Sequence, residues 1–258
     1  MRALITGTGN MGRAMRTALE ERGEVVVAMV GRRTPRPEAA TLAPVDVTFE
    51  FSHAASLMDH VMLGIDAGCR AFVIGTTGWT GEPGARDELA RRLSDARARA
   101  VVAPSFSLGV VLFADLAERA ARLFGGFEGY DAYVFEHHRR TKADRPSGTA
   151  LAIADRLLPH LGSKRRALLA EGPGAPDPDV LEVVALRAGT SPGMHIVGFD
   201  APGEALELRI TARDRSAYVA GALLAADALM ADTDRTGITD FETLVRERTD
   251  TDRKDDER

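Results

Sequence analysis

Arg2-Ala3-Leu4-Ile5-Thr6-Gly7-Thr8-Gly9-Asn10-Met11-Gly12 sets a strand-like apolar run directly before a G-x-G-x-x-G pattern. Met11, Ala14, Met15, Ala18 and Leu19 follow at i, i+3, i+4, i+7 and i+8, one face of a helix. Strand, glycine loop and helix in that order make an otherwise weak pattern informative. Gly7 permits the tight turn, Gly9 lets backbone approach a pyrophosphate, and Gly12 lets helix and strand pack closely. The helix N-terminus then presents free N–H groups to an anion. Gly23 ends the helix in a left-handed conformation, and Val25–Val30 reads as the second strand.

Outward from this unit the rhythm continues. Strands are expected at Val45–Phe51, Ala71–Ile74 and Ala100–Ala103, with helices at Ala55–Ala67 and Arg86–Ala98. Nearly continuous apolar strands alternating with helices predict a parallel sheet covered on both faces. After Pro104 the order changes. Val110–Phe124 and Ser147 to about Leu161 read as helices, with Ser147 as N-cap, and Tyr133–Phe135 ends a short strand. Val180–Leu186, Met194–Phe199 and Ala205–Thr211 read as strands in succession, so a second domain of α+β type with a mixed sheet is expected. Ala217–Met230 is helical again, and the charged stretch Glu247–Arg258 reads as a disordered tail.

Composition narrows the function classes. The 258 residues carry 33 Lys and Arg against 38 Asp and Glu, a net charge of −5, which gives no reason to expect nucleic acid. No apolar run approaches the ~20 residues that span a bilayer, and no signal-peptide pattern opens the chain, so a cytoplasmic protein without membrane contact is expected. Cys69 is the single cysteine and reads as a small buried filler. No metal is expected, because zinc-type cysteine clusters are absent.

The end of the second strand decides the cofactor. An Asp or Glu there would meet a ribose 2′-hydroxyl. The chain instead has Arg32 and Arg33, whose guanidiniums suit a 2′-phosphate. NADPH is therefore the expected cofactor, with NADH as the alternative.

The most informative later stretch is Glu136-His137-His138-Arg139-Arg140-Thr141-Lys142-Ala143-Asp144-Arg145-Pro146-Ser147-Gly148-Thr149-Ala150. It is a cationic loop running into a helix N-terminus, a combination suited to carboxylates. His138 and Lys142 are candidate proton donors. This run resembles the E-x-H-H-x-x-K-x-D-x-P-S-G-T-A signature of the dihydrodipicolinate reductase family. Gly75-Thr76-Thr77-Gly78, Ala103-Pro104-Ser105-Phe106-Ser107-Leu108-Gly109-Val110, and Arg187-Ala188-Gly189 followed by His195 are similar to further family segments. The resemblance runs from Leu4 to about Leu229 in the family's order.

The resemblance implies a Rossmann-type α/β domain at 1–104 and 213–246, and an α+β substrate-binding and oligomerisation domain at 105–212. It implies hydride transfer from NAD(P)H to the dehydrated ring of 4-hydroxy-tetrahydrodipicolinate, a small dicarboxylate, on the way to diaminopimelate and lysine, by a homotetramer. His138 and Lys142 would be catalytic. Arg139, Lys142, Ser147, Gly148 and Thr149 would bind substrate. Gly7, Gly9, Asn10, Met11, Gly12, Arg32, Arg33, Phe51, Gly75, Thr77, Ser105 and Phe106 would bind cofactor.

Departures from the family pattern leave two other readings open. Arg139 stands where the family's second histidine stands, Ser105 replaces an Asn, and Glu50-Phe51-Ser52 replaces Asp-Phe-Thr or Asp-Phe-Ser. The glycine loop is one residue shorter than the family's, and a T-H pair is lost near Thr211. The alternatives are a related reductase of another cyclic imine carboxylate and an inactive dinucleotide-binding regulator. Retention of both His138 and Lys142 speaks against the second.

Overall fold

The computed structural model describes residues 1–34, 36–42 and 44–256, with side chains to residue 249. The chain forms two compact units, one of Met1–Leu108 with Arg215–Arg258 and one of Gly109–Asp214.

The first unit begins with β1 (Arg2–Thr6), α1 (Asn10–Glu21), β2 (Val25–Val30), α2 (Ala39–Leu42), β3 (Val47–Glu50), α3 (Leu57–Asp66), β4 (Ala71–Ile74), α4 (Ala85–Asp95) and β5 (Arg99–Val102). Every residue of β3, β4 and β5 is buried, as a parallel sheet covered on both sides requires. Leu4, Phe72, Ile74, Ala100 and Val102 pack with Val61, Leu89 and Leu93 of α3 and α4 on one face. Arg22 closes α1, and Gly23 follows at φ +72°. Cys69 lies fully buried in this core, where burial pushes its thiol up to about 11 and leaves it inert.

The second unit contains α5 (Leu108–Phe124, entering from the first), β6 (Asp131–His138), α6 (Gly148–Leu157), β7 (Arg166–Leu169), β8 (Val180–Arg187), β9 (Gly193–Ala201) and β10 (Glu204–Ala212). Its sheet has the order β10-β9-β6-β8-β7. β6 and β7 run parallel to β8, while β9 is antiparallel to both β6 and β10. The mixed sheet expected from the sequence is present. One face packs Val134, Leu181, Val183, Val197 and Phe199 against Ala117, Ala121, Ile153 and Leu157 of α5 and α6. β6 alternates strictly: Ala132, Val134, Glu136 and His138 are buried, and Tyr133, Phe135 and His137 are half-buried.

The chain then returns to the first unit with α7 (Ser216–Ala231), β11 (Gly237–Asp240) and α8 (Phe241–Asp256). β11 pairs parallel with β5 and completes a six-stranded parallel sheet of order β11-β5-β4-β3-β1-β2. α7 packs on β4, β5 and α1.

Several elements depart from the sequence-based expectation: α2 was not expected, and β6, expected to end at Phe135, runs on to His138. β7 was not expected, because its residues Arg166-Ala167-Leu168-Leu169 carry no polar–apolar alternation, although their burial alternates. β11 was not expected either. Ile238 is its single large apolar residue, and its strand geometry comes from pairing with β5. The tail expected to be disordered from Glu247 instead continues α8 to Asp256, while residues 257–258 lie outside the described residues. The buried Phe241, Leu244 and Val245 anchor the first turns of this helix. Arg235–Glu247 and Arg246–Glu242 ion pairs support its polar continuation. Among the described residues, no helix is long and apolar enough to cross a membrane.

Candidate active site

In the first unit, steric need fixes the glycine loop. Gly7 has φ +109°, and a Cβ there would lie 2.2 Å from the Phe51 carbonyl oxygen. A Cβ on Gly12 would lie 1.8 Å from the Gly7 oxygen. Gly9 differs: it is exposed, a Cβ there would meet nothing within 4 Å, and it caps α1 without a side-chain hydrogen bond. An open, side-chain-free N-cap fits a pyrophosphate approaching the helix. The dinucleotide is the group this loop suits. Asn10 accepts from Arg13 at 2.6 Å, and Arg13 also donates to the Thr8 oxygen at 2.8 Å, so the loop is braced from its own helix. Met11 is half-buried at its base.

Arg32 and Arg33 lie exposed in a turn closed by Gly31 N donating to Thr34 Oγ1 at 2.6 Å. The turn adjoins the glycine loop, because a Cβ on Gly31 would reach Thr8 Oγ1 at 2.4 Å. Gly75 sits between two rings: a Cβ there would lie 2.8 Å from Phe51 and 3.3 Å from Phe106. Phe106 is itself buried on Phe241, ring centroids 5.0 Å apart. Ser105 is half-buried and Thr77 exposed. Thr76, Thr77, Trp79, Arg86, Pro104 and Asp240 help line a small cavity of about 140 Å³ at this end of the sheet.

A group the sequence reading did not assign underlies these loops. The fully buried Glu50 carboxylate accepts from Ser52 Oγ, Thr76 Oγ1 and Ser52 N, the last at 3.3 Å. His60 Nδ1 lies 3.0 Å from it. Glu50 thus ties the loop after β3 to the loop after β4.

In the second unit, His138 ends β6 and is 7% exposed. His137 faces the other side, its Nε2 3.0 Å from the Ala188 oxygen. Arg139 and Arg140 are exposed, held by backbone bonds from their N–H groups to Ser191 and Gly189 oxygens. Lys142 Nζ pairs with Asp144 at 2.8 Å. Burial acts to raise the Asp144 carboxyl, but the hydrogen bond and charge of Lys142 outweigh it and hold it low. Ser147 is the N-cap of α6 and accepts from Ala150 N at 3.2 Å. Gly148 and Thr149 form the first turn beyond it, Gly148 exposed and Thr149 half-buried.

What joins His138 to Ser147 is Glu136, fully buried on the same face of β6. Its Oε1 accepts from Ser147 N at 2.9 Å and from Arg187 at 2.7 Å. Its Oε2 accepts the Ser147 hydroxyl and lies 3.3 Å from His138 Nδ1. His195, 5% exposed on β9, meets His138 edge to face at 5.3 Å. Burial first, then the neighbouring His138, Lys142 and Arg187, push His195 down to about 4, against the pull of Glu136, so it is neutral near pH 7.

Glu136, His138 and His195 offer ligand-type atoms within 4.8 Å of one another. Glu136 already holds the Arg187 cation, and a second cation there would meet its repulsion. Glu136, Arg187 and His195 were not assigned roles from the sequence. A signal was available: Glu136 shares the apolar phase of β6 with Ala132 and Val134, and a carboxylate in that phase must be paired.

The comparisons with known proteins bear on this geometry. Residues 1–106 match the family described as dihydrodipicolinate reductase, N-terminus, and residues 109–245 match dihydrodipicolinate reductase, C-terminus. The chain belongs to the dihydrodipicolinate reductase family. A 4-hydroxy-tetrahydrodipicolinate reductase from Chromobacterium violaceum is 34% identical over 191 residues, 72% of this chain and 69% of that protein. The enzyme of the same name from Methanopyrus kandleri is 36% identical over 182 residues, 70% of this chain and 65% of its own length. Among solved structures, the dipicolinate-bound dihydrodipicolinate reductase of Paenisporosarcina sp. TG-14 superposes with TM-score 0.68 at 20% identity, covering 93% of this chain and 97% of that one. That likeness confirms the fold: a Rossmann-like parallel sheet and a second mixed sheet.

Proposed function

We propose that this member of the dihydrodipicolinate reductase family reduces the dehydrated form of 4-hydroxy-tetrahydrodipicolinate to tetrahydrodipicolinate, for diaminopimelate and lysine synthesis. The observation that carries this reading is the joint match of residues 1–106 and 109–245 to the two halves of one reductase family. The run that holds His138, Lys142 and Ser147 to Thr149 resembles the family signature and supports the reading. The test is NAD(P)H oxidation driven by freshly made dihydrodipicolinate synthase product.

A bound nicotinamide supplies the hydride. The chain's own residues place the reactants and manage charge. Gly7, Gly9 and Gly12 admit the pyrophosphate to the α1 N-terminus. The N–H groups of Gly148 and Thr149 at the α6 N-terminus, with the exposed Arg139 and Arg140, hold substrate carboxylates. Ser147 has its hydroxyl proton committed to Glu136, so its part is to set the helix end. An ammonium has three donors; Asp144 engages Lys142 Nζ and leaves protons for the ring atom that gains electron density. His138 orients or polarises the ring.

NADPH is the preferred cofactor in this reading, with support from the exposed Arg32 and Arg33 beside the glycine loop. Each charged hydrogen bond to a 2′-phosphate contributes roughly 1.5–3 kcal/mol. Arg32→Ala/Arg33→Ala is expected to raise the NADPH dissociation constant and leave that of NADH nearly unchanged. Equal weakening of both in a fluorescence titration would refute the preference.

The protein is further proposed to be a cytoplasmic homotetramer built through the open face of the second unit's sheet. Val184, Phe135 and Ile196 form a cross-strand row there, with the exposed Leu186 beside it. An antiparallel or mixed sheet facing water carries polar residues instead. Sedimentation is expected to give about four times the chain mass of 27.7 kDa; a mass near 27.7 kDa at micromolar concentration would exclude the tetramer.

Arg139 favours one other reading, a related reductase for a different cyclic imine carboxylate, since a fixed cation replaces the family's second histidine. Turnover with that other imine, and none with the synthase product, would establish it.

A further inference from the structure

Glu136 is joined to both signature features of the second unit, the imidazole of His138 and the N-cap of α6. We infer that Glu136 is a positioning residue, which fixes the Nδ1–H tautomer and the orientation of His138 and at the same time pins the carboxylate-binding end of α6. The inference rests on the proposed reductase reading for its kinetic consequence, though not for its geometry.

A fully buried carboxylate persists only if it is paired and hydrogen-bonded. Burial works to raise Glu136, but the adjacent His138 and the donors on Ser147 and Arg187 outweigh it and hold it well below the usual carboxylate range. It is therefore an anion whenever the protein is folded near neutral pH. Arg187 neutralises one oxygen and spends further donors on the Asp144 carbonyl, so the Lys142–Asp144 loop is tied to the same carboxylate. The other oxygen faces His138 Nδ1 at 3.3 Å, close but not a well-directed hydrogen bond.

His195 Nδ1 lies 4.0 Å from that oxygen and is buried without a hydrogen-bond partner among the described residues. Kept neutral, it does not compete with His138 for the charge. An anion beside Nδ1 favours the tautomer with the proton there, as second-shell carboxylates do for other functional histidines. Nε2 is then the free nitrogen, and Gly193 clears the space beside it, since a Cβ at that position would lie 2.9 Å from Nε2.

The charge-neutral Glu136→Gln keeps the shape and separates positioning from packing. Nitrogen NMR of the His138 ring, read at a pH where the ring is neutral and with no substrate present, is expected to show the Nδ1–H tautomer in the parent. In Glu136→Gln a mixed or inverted population is expected, while Ser147→Ala, which keeps the carboxylate, leaves the tautomer as in the parent. With the synthase product, Glu136→Gln is expected to lower kcat roughly 10- to 100-fold, more than it changes KM for cofactor.

An Nε2–H tautomer in the parent overturns the inference even if no Glu136 variant folds. A tautomer indifferent to Glu136→Gln in a folded variant overturns it too. If the parent fails to turn over, the substrate reading falls and the ring measurement still decides the role of Glu136.

Discussion

His138→Gln is expected to lower kcat by roughly 10²–10⁴, the usual range for a side chain that gives a proton or a polarising hydrogen bond to the reacting ring. His137→Gln is expected to stay near the parent value. The two residues are neighbours in sequence and opposite in space: His138 is buried beside Glu136, and His137 is turned to the Ala188 carbonyl. A strand makes that separation unavoidable. Arg139→Ala is expected to raise KM for the dicarboxylate more than it lowers kcat, because the guanidinium is exposed and its proposed part is to bind a carboxylate without moving protons. Substrate KM should also stay flat across the range where a histidine at that position would titrate. Steady-state kinetics of the three variants under one assay checks all of this. A crippled His137→Gln beside a near-parental His138→Gln would show that the signature register is off by one.

The second large effect lies in the glycine loop, where two glycines are required for different reasons. Gly12→Ala puts a methyl 1.8 Å from the Gly7 oxygen, so the backbone must move. Overpacking of this kind costs on the order of 1–3 kcal/mol, and both thermal stability and cofactor affinity are expected to fall. Gly9 has nothing within 4 Å of its Cβ position and adopts φ −74°, open to any residue. Gly9→Ala is expected to cost at most about 1 kcal/mol of stability, through its N-cap position. Its cofactor dissociation constant is nevertheless expected to rise tenfold or more, about 1.4 kcal/mol. Melting of the free protein together with a cofactor titration separates the two. A Gly9→Ala protein that binds cofactor like the parent would mean that the pyrophosphate does not approach there.

The sequence made the α/β unit legible because its strands are buried on both faces, so apolar runs and helix periods mark nearly every boundary. β1, β2 and β4 fall at the expected residues. β11 escaped because a strand with a single large apolar residue takes its conformation from its neighbour β5, a long-range cause that no local window contains. α8 escaped because composition alone does not reveal anchoring by Phe241, Leu244 and Val245.

The residues proposed to meet ligands stand in a run that resembles the family signature, and that resemblance names His138, Lys142 and Ser147. The residues that support them could not be named that way. Arg187 and His195 reach Glu136 only because β8 and β9 flank β6 in the sheet. His60 reaches Glu50 only through the packing of α3 against β3. Strand order is a property of the fold, and a pattern read along the chain does not contain it.

The most direct measurement is the loss of NADPH absorbance with purified protein and freshly generated dihydrodipicolinate synthase product. The expected result is oxidation that begins only when the synthase product is present, saturates with it, and is lost in Lys142→Ala. Binding of NADPH by titration, with no oxidation above background from either NADPH or NADH, would contradict the reductase reading.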